Sequence, residues 1–457
     1  MRRLLNLLAL VLFGLSTVPA LAQSQFVVND IPIRATAVVA PQLSCVMYDA
    51  NGVLKDADGL PVIFDAYIDT GASGFVLSRL TARGFSTTDL LGETVTVPGL
   101  GIDGTHGEFV GTFTDLGVGG PETGDVTAPG QYGIRIRNET PLAGTIELDW
   151  ETLDIVYTPP TYVASEFLDQ GTHSYFVRQQ EGYGERPQVP TELGPIDIDV
   201  NPLNVVGMPV IRQNVLMLDP RTIGVSEDGF SITPMATHLL PKGSPTEPTN
   251  MTFNLRMQDF SEPLPQGEVR PSQTANPMFD HVSVTQGELT STNNSWLLDT
   301  GSQATMLGFD KAKQIGLIDS QYETYDEFMA AFTGLTMPVG GIGNITEATT
   351  VPVLTLDRIS IPSADGRDII WENVDVLVLD VAGLDGIFGM NLLLPASTID
   401  IVNLAEIGSS PGYFDYAYFE VLDNNNAQLS LQYNVPEPIS LMLLGLGSVA
   451  LLRRRRR

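Results

Sequence analysis

The sequence predicts an all-β protein built from two related halves, each a repeated β unit that holds one Asp-Thr-Gly loop. Three observations predict it. Short β-type runs, among them Val62-Ile63-Phe64, Glu93 to Val97, Gly144 to Leu148, Val353 to Leu356 and Val374 to Leu379, are punctuated by Gly, Pro and Asn. A set of elements recurs in the same order in both halves. A proline-rich break, Pro241-Lys242-Gly243-Ser244-Pro245-Thr246-Glu247-Pro248, divides the chain between them.

Taken from the N-terminus, the first element is an export signal. Arg2 and Arg3 open a basic region, Leu4 to Leu15 is apolar apart from Asn6, and Ala20-Leu21-Ala22 supplies the small residues that signal peptidase accepts. Cleavage is expected before Gln23, making residues 1–22 a signal peptide. The apolar stretch is shorter than the roughly 20 residues a membrane span requires.

The first half, 23–240, carries Ala66-Tyr67-Ile68-Asp69-Thr70-Gly71-Ala72-Ser73. After a linker at 241–250, the second half, 251–433, carries Ser295-Trp296-Leu297-Leu298-Asp299-Thr300-Gly301-Ser302. Each motif leads into a strand-like stretch (Phe75-Val76-Leu77; Thr305-Met306-Leu307). Each then leads into a short helical segment ending at glycine, Arg79 to Arg83 before Gly84 and Asp310 to Ile315 before Gly316. A Gly-rich hairpin follows in both, around Val97 to Gly101 and Pro338 to Gly343. Each half closes on an apolar-apolar-Gly-Met element, Val205-Val206-Gly207-Met208 and Ile387-Phe388-Gly389-Met390. From Asp to that Gly the count is 207 − 69 = 138 in the first half and 389 − 299 = 90 in the second. The first half therefore carries extra sequence, expected in the polar Gly/Pro-rich stretch from Phe167 to Ile196.

The last element is the tail, 434–457. Pro436-Glu437-Pro438 precedes an apolar run from Ile439 to Leu452 and five arginines, Arg453 to Arg457. The arginines belong on the cytoplasmic side, and 14 residues make a marginal transmembrane helix suited to transient anchoring. This tripartite tail resembles the PEP-CTERM sorting signal of Gram-negative bacteria. The resemblance implies an exosortase-type processing enzyme, cleavage near Pro-Glu-Pro, and a final place in the cell envelope or outside the cell.

Composition removes several function classes. The 457 residues hold 24 Lys+Arg against 54 Asp+Glu, a net charge of −30. Seven of the basic residues lie in the terminal signals, so the body stands near 17 − 54 = −37. Such a body is repelled by phosphate backbones, which excludes nucleic-acid binding. Cys45 is the only cysteine, so no intramolecular disulfide, CxxC pair or cysteine zinc site can form. His106, His173, His238 and His281 are scattered without metal-ligand spacing. Asp56-Ala57-Asp58-Gly59 lacks the glutamate that a calcium loop needs at its twelfth position and reads as a turn, as does Asp423-Asn424-Asn425-Asn426. No metal and no cofactor is expected.

What remains is the repeated carboxylate. One Asp-Thr-Gly alone reads as an Asx-turn at a strand end; two copies at the same place in a repeat read as chemistry. Carboxylates brought together across a two-fold axis cannot both ionise, so they share a proton and titrate as a coupled pair. The ionised member can take a proton from water while the protonated member donates to a carbonyl oxygen. That permits hydrolysis of an amide without a nucleophilic side chain or a metal.

With these motifs the body resembles a bilobal pepsin-like aspartic peptidase over nearly all of residues 25 to 433. The Asp-Thr-Gly-Ala-Ser copy, with Leu77-Ser78 and Gly84-Phe85, also resembles a bacterial retropepsin-type half. The resemblance implies a two-lobed acid-protease fold with a cleft between the lobes. Asp69 and Asp299 would be the catalytic dyad, with water activated between them. Thr70 and Thr300 would cross-link the two loops, Gly71 and Gly301 would allow close approach, and Ser73 and Ser302 would support the loops. Val205, Val206, Gly207, Ile387, Phe388 and Gly389 would brace them from behind. A monomeric, secreted aspartic endopeptidase acting on an extended polypeptide is the function implied, since one chain supplies both aspartates.

The sequence departs from that family pattern in several places. Ala72 stands where a serine or threonine usually bonds the outer side of the aspartate, whereas Ser302 keeps that residue in the second half. One fewer hydrogen bond predicts a raised pKa for the pair and an optimum above about pH 3. No tyrosine lies between Val97 and Gly107 to cover a cleft, and Phe109 is the aromatic that could substitute. From Ala22 to Asp69 only Arg34 and Lys55 are basic, which argues against activation by loss of a basic segment. Ala72 and the missing tyrosine favour a second reading, a catalytically silent binding protein of the envelope or exopolysaccharide matrix; the two intact Asp-Thr-Gly copies oppose it. A third, a structural matrix protein, rests only on the tail and the acidic surface.

Overall fold

The computed structural model describes residues 25–31, 41–49, 51–55, 59–78, 94–98, 108–114, 133–137, 145–148, 155–158, 167–172, 175–178, 188–191, 194–197, 204–222, 224–225, 232–233, 235–259, 275–341, 344–379, 384–393 and 414–433. Within them the protein is mostly β-strand with few helices. The expected helix at Arg79 to Arg83, the signal peptide and the tail lie outside these residues.

Two large sheets carry the architecture. The first has ten strands, all from residues 42–206, in the order Phe167–Thr172, Gly133–Arg137, Gln42–Asp49, Ile63–Ile68, Val205–Val206, Phe75–Ser78, Tyr175–Arg178, Glu108–Thr114 and Thr94–Pro98, with Gly52–Val53 paired to Gln42–Asp49. The second has thirteen. Its order is Ala236–Pro241, Asn214–Asp219, Phe414–Val421, Asn426–Tyr433, Met251–Gln258, Asn276–Gln286, Leu289–Leu298, Gly386–Phe388, Met306–Gly308, Asp368–Leu379, Asn344–Pro362 and Thr336–Gly341. The N-terminal strand Gln25–Ile31 joins it, running parallel to Asp368–Leu379.

The sheets do not part where the sequence break lies. Asn214–Asp219 and Ala236–Pro241 precede residues 241–250 yet belong to the second sheet, through pairing with Phe414–Val421. The exposed proline-rich crossing is tied down rather than free. Tyr416 donates its hydroxyl to the Pro248 carbonyl at 2.6 Å, and the Glu247 N–H donates to the Tyr418 hydroxyl at 3.1 Å.

Alternation of side chains explains the sheet faces. Along Ile63–Ile68, Phe64, Ala66 and Ile68 are buried while Asp65 is exposed, the two-residue period of a half-buried strand. Leu43, Cys45 and Met47 on the neighbouring strand meet them in the core. Cys45 is 0% exposed and burial pushes its thiol pKa up, which leaves it an inert core residue rather than a nucleophile. In the second half an aromatic cluster does the equivalent work: Phe388 packs 4.9 Å from Phe279 and 5.5 Å from Trp371 between ring centroids. The Trp371 indole N–H donates to the Leu392 carbonyl at 3.0 Å, so this buried polar group is satisfied.

The expected helix after the second motif spans Phe309–Gln314 and ends at Gly316, whose φ of +75° is the left-handed geometry that glycine adopts most cheaply. The hairpin expected around Val97 is formed by Thr94–Pro98 and Glu108–Thr114, and the one around Pro338 by Thr336–Gly341 and Asn344–Pro362. The extra length of the first half is not one insertion at 167–196. Phe167–Thr172 and Tyr175–Arg178 are integral strands, pairing with Gly133–Arg137, Phe75–Ser78 and Glu108–Thr114. In the second half a single 19-residue strand, Asn344–Pro362, runs unbroken from the hairpin to the far side of the sheet. The first half divides that course between Glu108–Thr114 and Gly133–Arg137, with 18 residues between them, 29 between Arg137 and Phe167 and 26 between Arg178 and Val205.

Candidate active site

Both Asp-Thr-Gly loops leave their strands in the same way. Val205–Val206 lies parallel to Ile63–Ile68 and antiparallel to Phe75–Ser78. Gly386–Phe388 likewise lies parallel to Leu289–Leu298 and antiparallel to Met306–Gly308. Each loop is therefore gripped between a strand before it, a strand after it and a short strand from far along the chain. The Asp69 N–H donates to the Val206 carbonyl at 3.0 Å, and the Asp299 N–H to the Phe388 carbonyl at 3.2 Å. The Met208 N–H reaches the Ala72 carbonyl at 2.9 Å, and the Met390 N–H reaches Ser302 at 2.8 Å.

The glycines of the short elements sit where no side chain fits. A Cβ on Gly207 would lie 2.2 Å from the Gly74 carbonyl oxygen, and one on Gly389 would lie 2.3 Å from the Ala304 carbonyl carbon. These are backbone atoms that cannot yield as a flexible side chain would.

The two loops meet. The Thr70 N–H donates to the Thr300 hydroxyl oxygen at 3.0 Å, and the Thr300 N–H donates to the Thr70 hydroxyl oxygen at 3.0 Å. Each hydroxyl then donates across the pair, Thr70 to the Leu298 carbonyl at 2.6 Å and Thr300 to the Ile68 carbonyl at 2.7 Å. Both threonines are buried, so this reciprocal set holds the loops in one register.

Within each loop one carboxylate oxygen takes two backbone donors. Asp69 Oδ1 accepts from Gly71 at 2.7 Å and Ala72 at 3.1 Å; Asp299 Oδ1 accepts from Gly301 at 2.9 Å and Ser302 at 3.0 Å. The carboxyls also hydrogen-bond to each other. A Cβ on Gly71 would fall 2.6 Å from Asp299 Cγ, and one on Gly301 would fall 2.5 Å from Asp69 Cγ. Glycine is needed at both positions for the opposing carboxyl to come this close.

Burial raises both pKa values above the ordinary 3.8, and the N–H donors pull against it. Asp299 is raised further, because the charge on Asp69 adds to its burial. The two carboxyls therefore titrate as one coupled pair.

The expectation drawn from Ala72 needs correction. Ser302 directs its hydroxyl to the Ala304 carbonyl at 2.8 Å, so the serine is turned to its own loop. Both aspartates take matched backbone donors, and the raised pKa values follow from burial, with the charge of Asp69 added at Asp299, rather than from Ala72. Ser73 makes a link between the halves instead, donating its hydroxyl to Asn276 Oδ1 at 2.6 Å.

Asn276 is a residue that the sequence reading missed. It is 1% exposed and its amide also donates to the Thr70 carbonyl at 2.8 Å. The Asn276-Pro277 dipeptide reads as a turn. Only the strand register reveals it: Met278 pairs with Leu297, which carries Asn276 opposite Asp299. Asn391 was missed as well; its Oδ1 accepts from the Thr305 N–H at 2.8 Å and hydroxyl at 2.7 Å, behind the second loop.

A family model of the PEP-CTERM protein-sorting motif matches residues 434–457, which include Pro436, Glu437 and Pro438. The motif marks the chain for export and for sorting to the envelope or exterior of a Gram-negative bacterium, with processing by an exosortase-type enzyme. No curated protein matches the chain. Among the described residues no helix is long and apolar enough to cross a membrane; the apolar run from Ile439 to Leu452 lies outside them.

Proposed function

We propose that the protein is an exported aspartic endopeptidase with a bilobal, pepsin-like body, hydrolysing extended polypeptides with a water activated between Asp69 and Asp299. The observation that carries this reading is the carboxyl pair itself. Two facing aspartates from matching loops, Asp69 buried and Asp299 half-buried, form one coupled pair, and each is held by the same two backbone donors. A buried pair of like charges is costly unless protonation relieves it, and a purely structural contact has no need of that arrangement.

In the mechanism, Asp69 accepts a proton from the water as it attacks the peptide carbonyl carbon, and Asp299 donates its proton to the carbonyl oxygen. The resulting diol collapses as a proton passes to the leaving nitrogen, the C–N bond breaks, and the pair again holds one proton. The Gly71 and Ala72 donors stabilise the charge on Asp69 before reaction. The Thr70–Thr300 bonds keep the carboxyls from separating once a peptide enters. In this reading the hairpin of Thr94–Pro98 and Glu108–Thr114 would be the first-half element that covers substrate; Val97 lies opposite Phe109 in its ladder.

The test is proteolysis. Residues 23–434 should cleave an unfolded casein-type protein, with pepstatin abolishing cleavage. Asp69→Asn and Asp299→Asn should each be folded and inactive. A folded parent that cuts nothing between about pH 3 and 7 would turn the reading to a silent binding protein of the envelope.

A further inference from the structure

The two catalytic loops are alike in their own bonds but unlike in what holds them. Asn276, at the start of a second-half strand, grips the first loop at both ends. Its Nδ2 donates to the Thr70 carbonyl at 2.8 Å and its Oδ1 accepts from the Ser73 hydroxyl at 2.6 Å. Between those points lie Gly71 and Ala72, whose N–H groups both point at Asp69 Oδ1. The amide is buried, and two of its bonding positions are taken by this one turn. The second loop, Asp299 to Ser302, shows no such clamp among the described residues; its Ser302 hydroxyl is used locally on Ala304.

We infer that Asn276 is a positioning residue that aims the Gly71 and Ala72 N–H groups at Asp69, making the first loop the more firmly held of the two. This rests on the peptidase reading above. A misaimed pair of donors acts on the reacting carboxylate rather than on peptide binding, so the defect falls on kcat more than on KM. The clamp also joins the halves, which makes loss of stability the competing explanation. That explanation predicts fewer folded molecules, each with normal turnover.

The experiment separates the two by counting active sites with pepstatin and expressing kcat per titrated site. Asn276→Ala should lower kcat per site by about ten- to a hundredfold with KM within about twofold, the loss typical of misplaced catalytic groups. Ser73→Ala removes only one arm and should give a smaller loss of the same kind. In the double variant the loss should equal that of Asn276→Ala alone, because the Ser73 bond is already gone. Asn294→Ala is the stability control: its buried amide bonds to the Val282 and Ser291 carbonyls and touches neither loop. That variant should melt lower with kcat per site unchanged. Unchanged kcat per site in Asn276→Ala overturns the inference while leaving the peptidase reading intact. If Asn276→Ala does not fold, an unchanged kcat per site in Ser73→Ala overturns it. An inactive parent overturns both.

Discussion

At the scale of single residues, the raised pKa of Asp299 makes a prediction of definite sign. The folded chain keeps a proton on Asp299 that the unfolded chain releases as pH rises past 3.8. The stability it contributes is fully present below that value and is lost as pH climbs through the higher folded pKa. Asparagine cannot ionise, so Asp299→Asn should melt above the parent at about pH 7, and the gap should shrink toward pH 3.8 and below. Thermal melts of both proteins across that range check it. The same direction governs activity: with both carboxyls raised, turnover should be greater above pH 3.8 than below it, and should fall again as Asp299 loses its proton. Gly71→Ala puts a methyl 2.6 Å from Asp299 Cγ. It should cost about a hundredfold or more in kcat, read from initial rates, because the opposing carboxyl must move.

At the scale of elements, the threonine cross-link and the N-terminal strand are the contacts to remove. Thr70→Val leaves the Leu298 carbonyl and the Thr300 N–H without their bonds. The expected loss is about 1–3 kcal/mol for each buried group left unpaired, measured by urea unfolding. Deleting residues 23–31 uncovers the Asp368–Leu379 edge and removes Val28 from the core, and should lower the urea midpoint. Much at this scale was legible in the sequence. The Asp-Thr-Gly loops, the two hairpins and the helix ending at Gly316 show in local pattern, because turn residues and apolar periodicity are local signals. The helix Tyr325–Ala331 was overlooked although Thr324 and Glu327 spell its capping box. The strands Phe167–Thr172 and Tyr175–Arg178 read as insertion, because their pairing lies with residues far away in the chain. Asn276 was hidden for the same reason: its role depends on which strand lies beside Asp299, and composition does not encode that.

At the scale of the whole molecule, the crossings explain why the chain should behave as one unit. Asn214–Asp219, Ala236–Pro241 and Gln25–Ile31 all enter the second sheet from the first half of the sequence, so neither half is self-contained. The N-terminal strand and the last strand also meet, with the Tyr433 hydroxyl donating to the Val27 carbonyl at 3.1 Å. The signal cut expected before Gln23 and the tail cut expected near Pro436-Glu437-Pro438 would therefore both fall beside these neighbouring ends. The central claim is that one chain supplies both members of a single catalytic pair. Its most direct test is titration of proteolytic activity with pepstatin at enzyme concentrations far above the inhibition constant. The account predicts a linear loss that reaches zero at one inhibitor per chain, with Asp69→Asn and Asp299→Asn binding none tightly. An endpoint at half an inhibitor per chain would show a site shared between two chains, and activity indifferent to pepstatin would contradict the carboxyl pair as the centre of the chemistry.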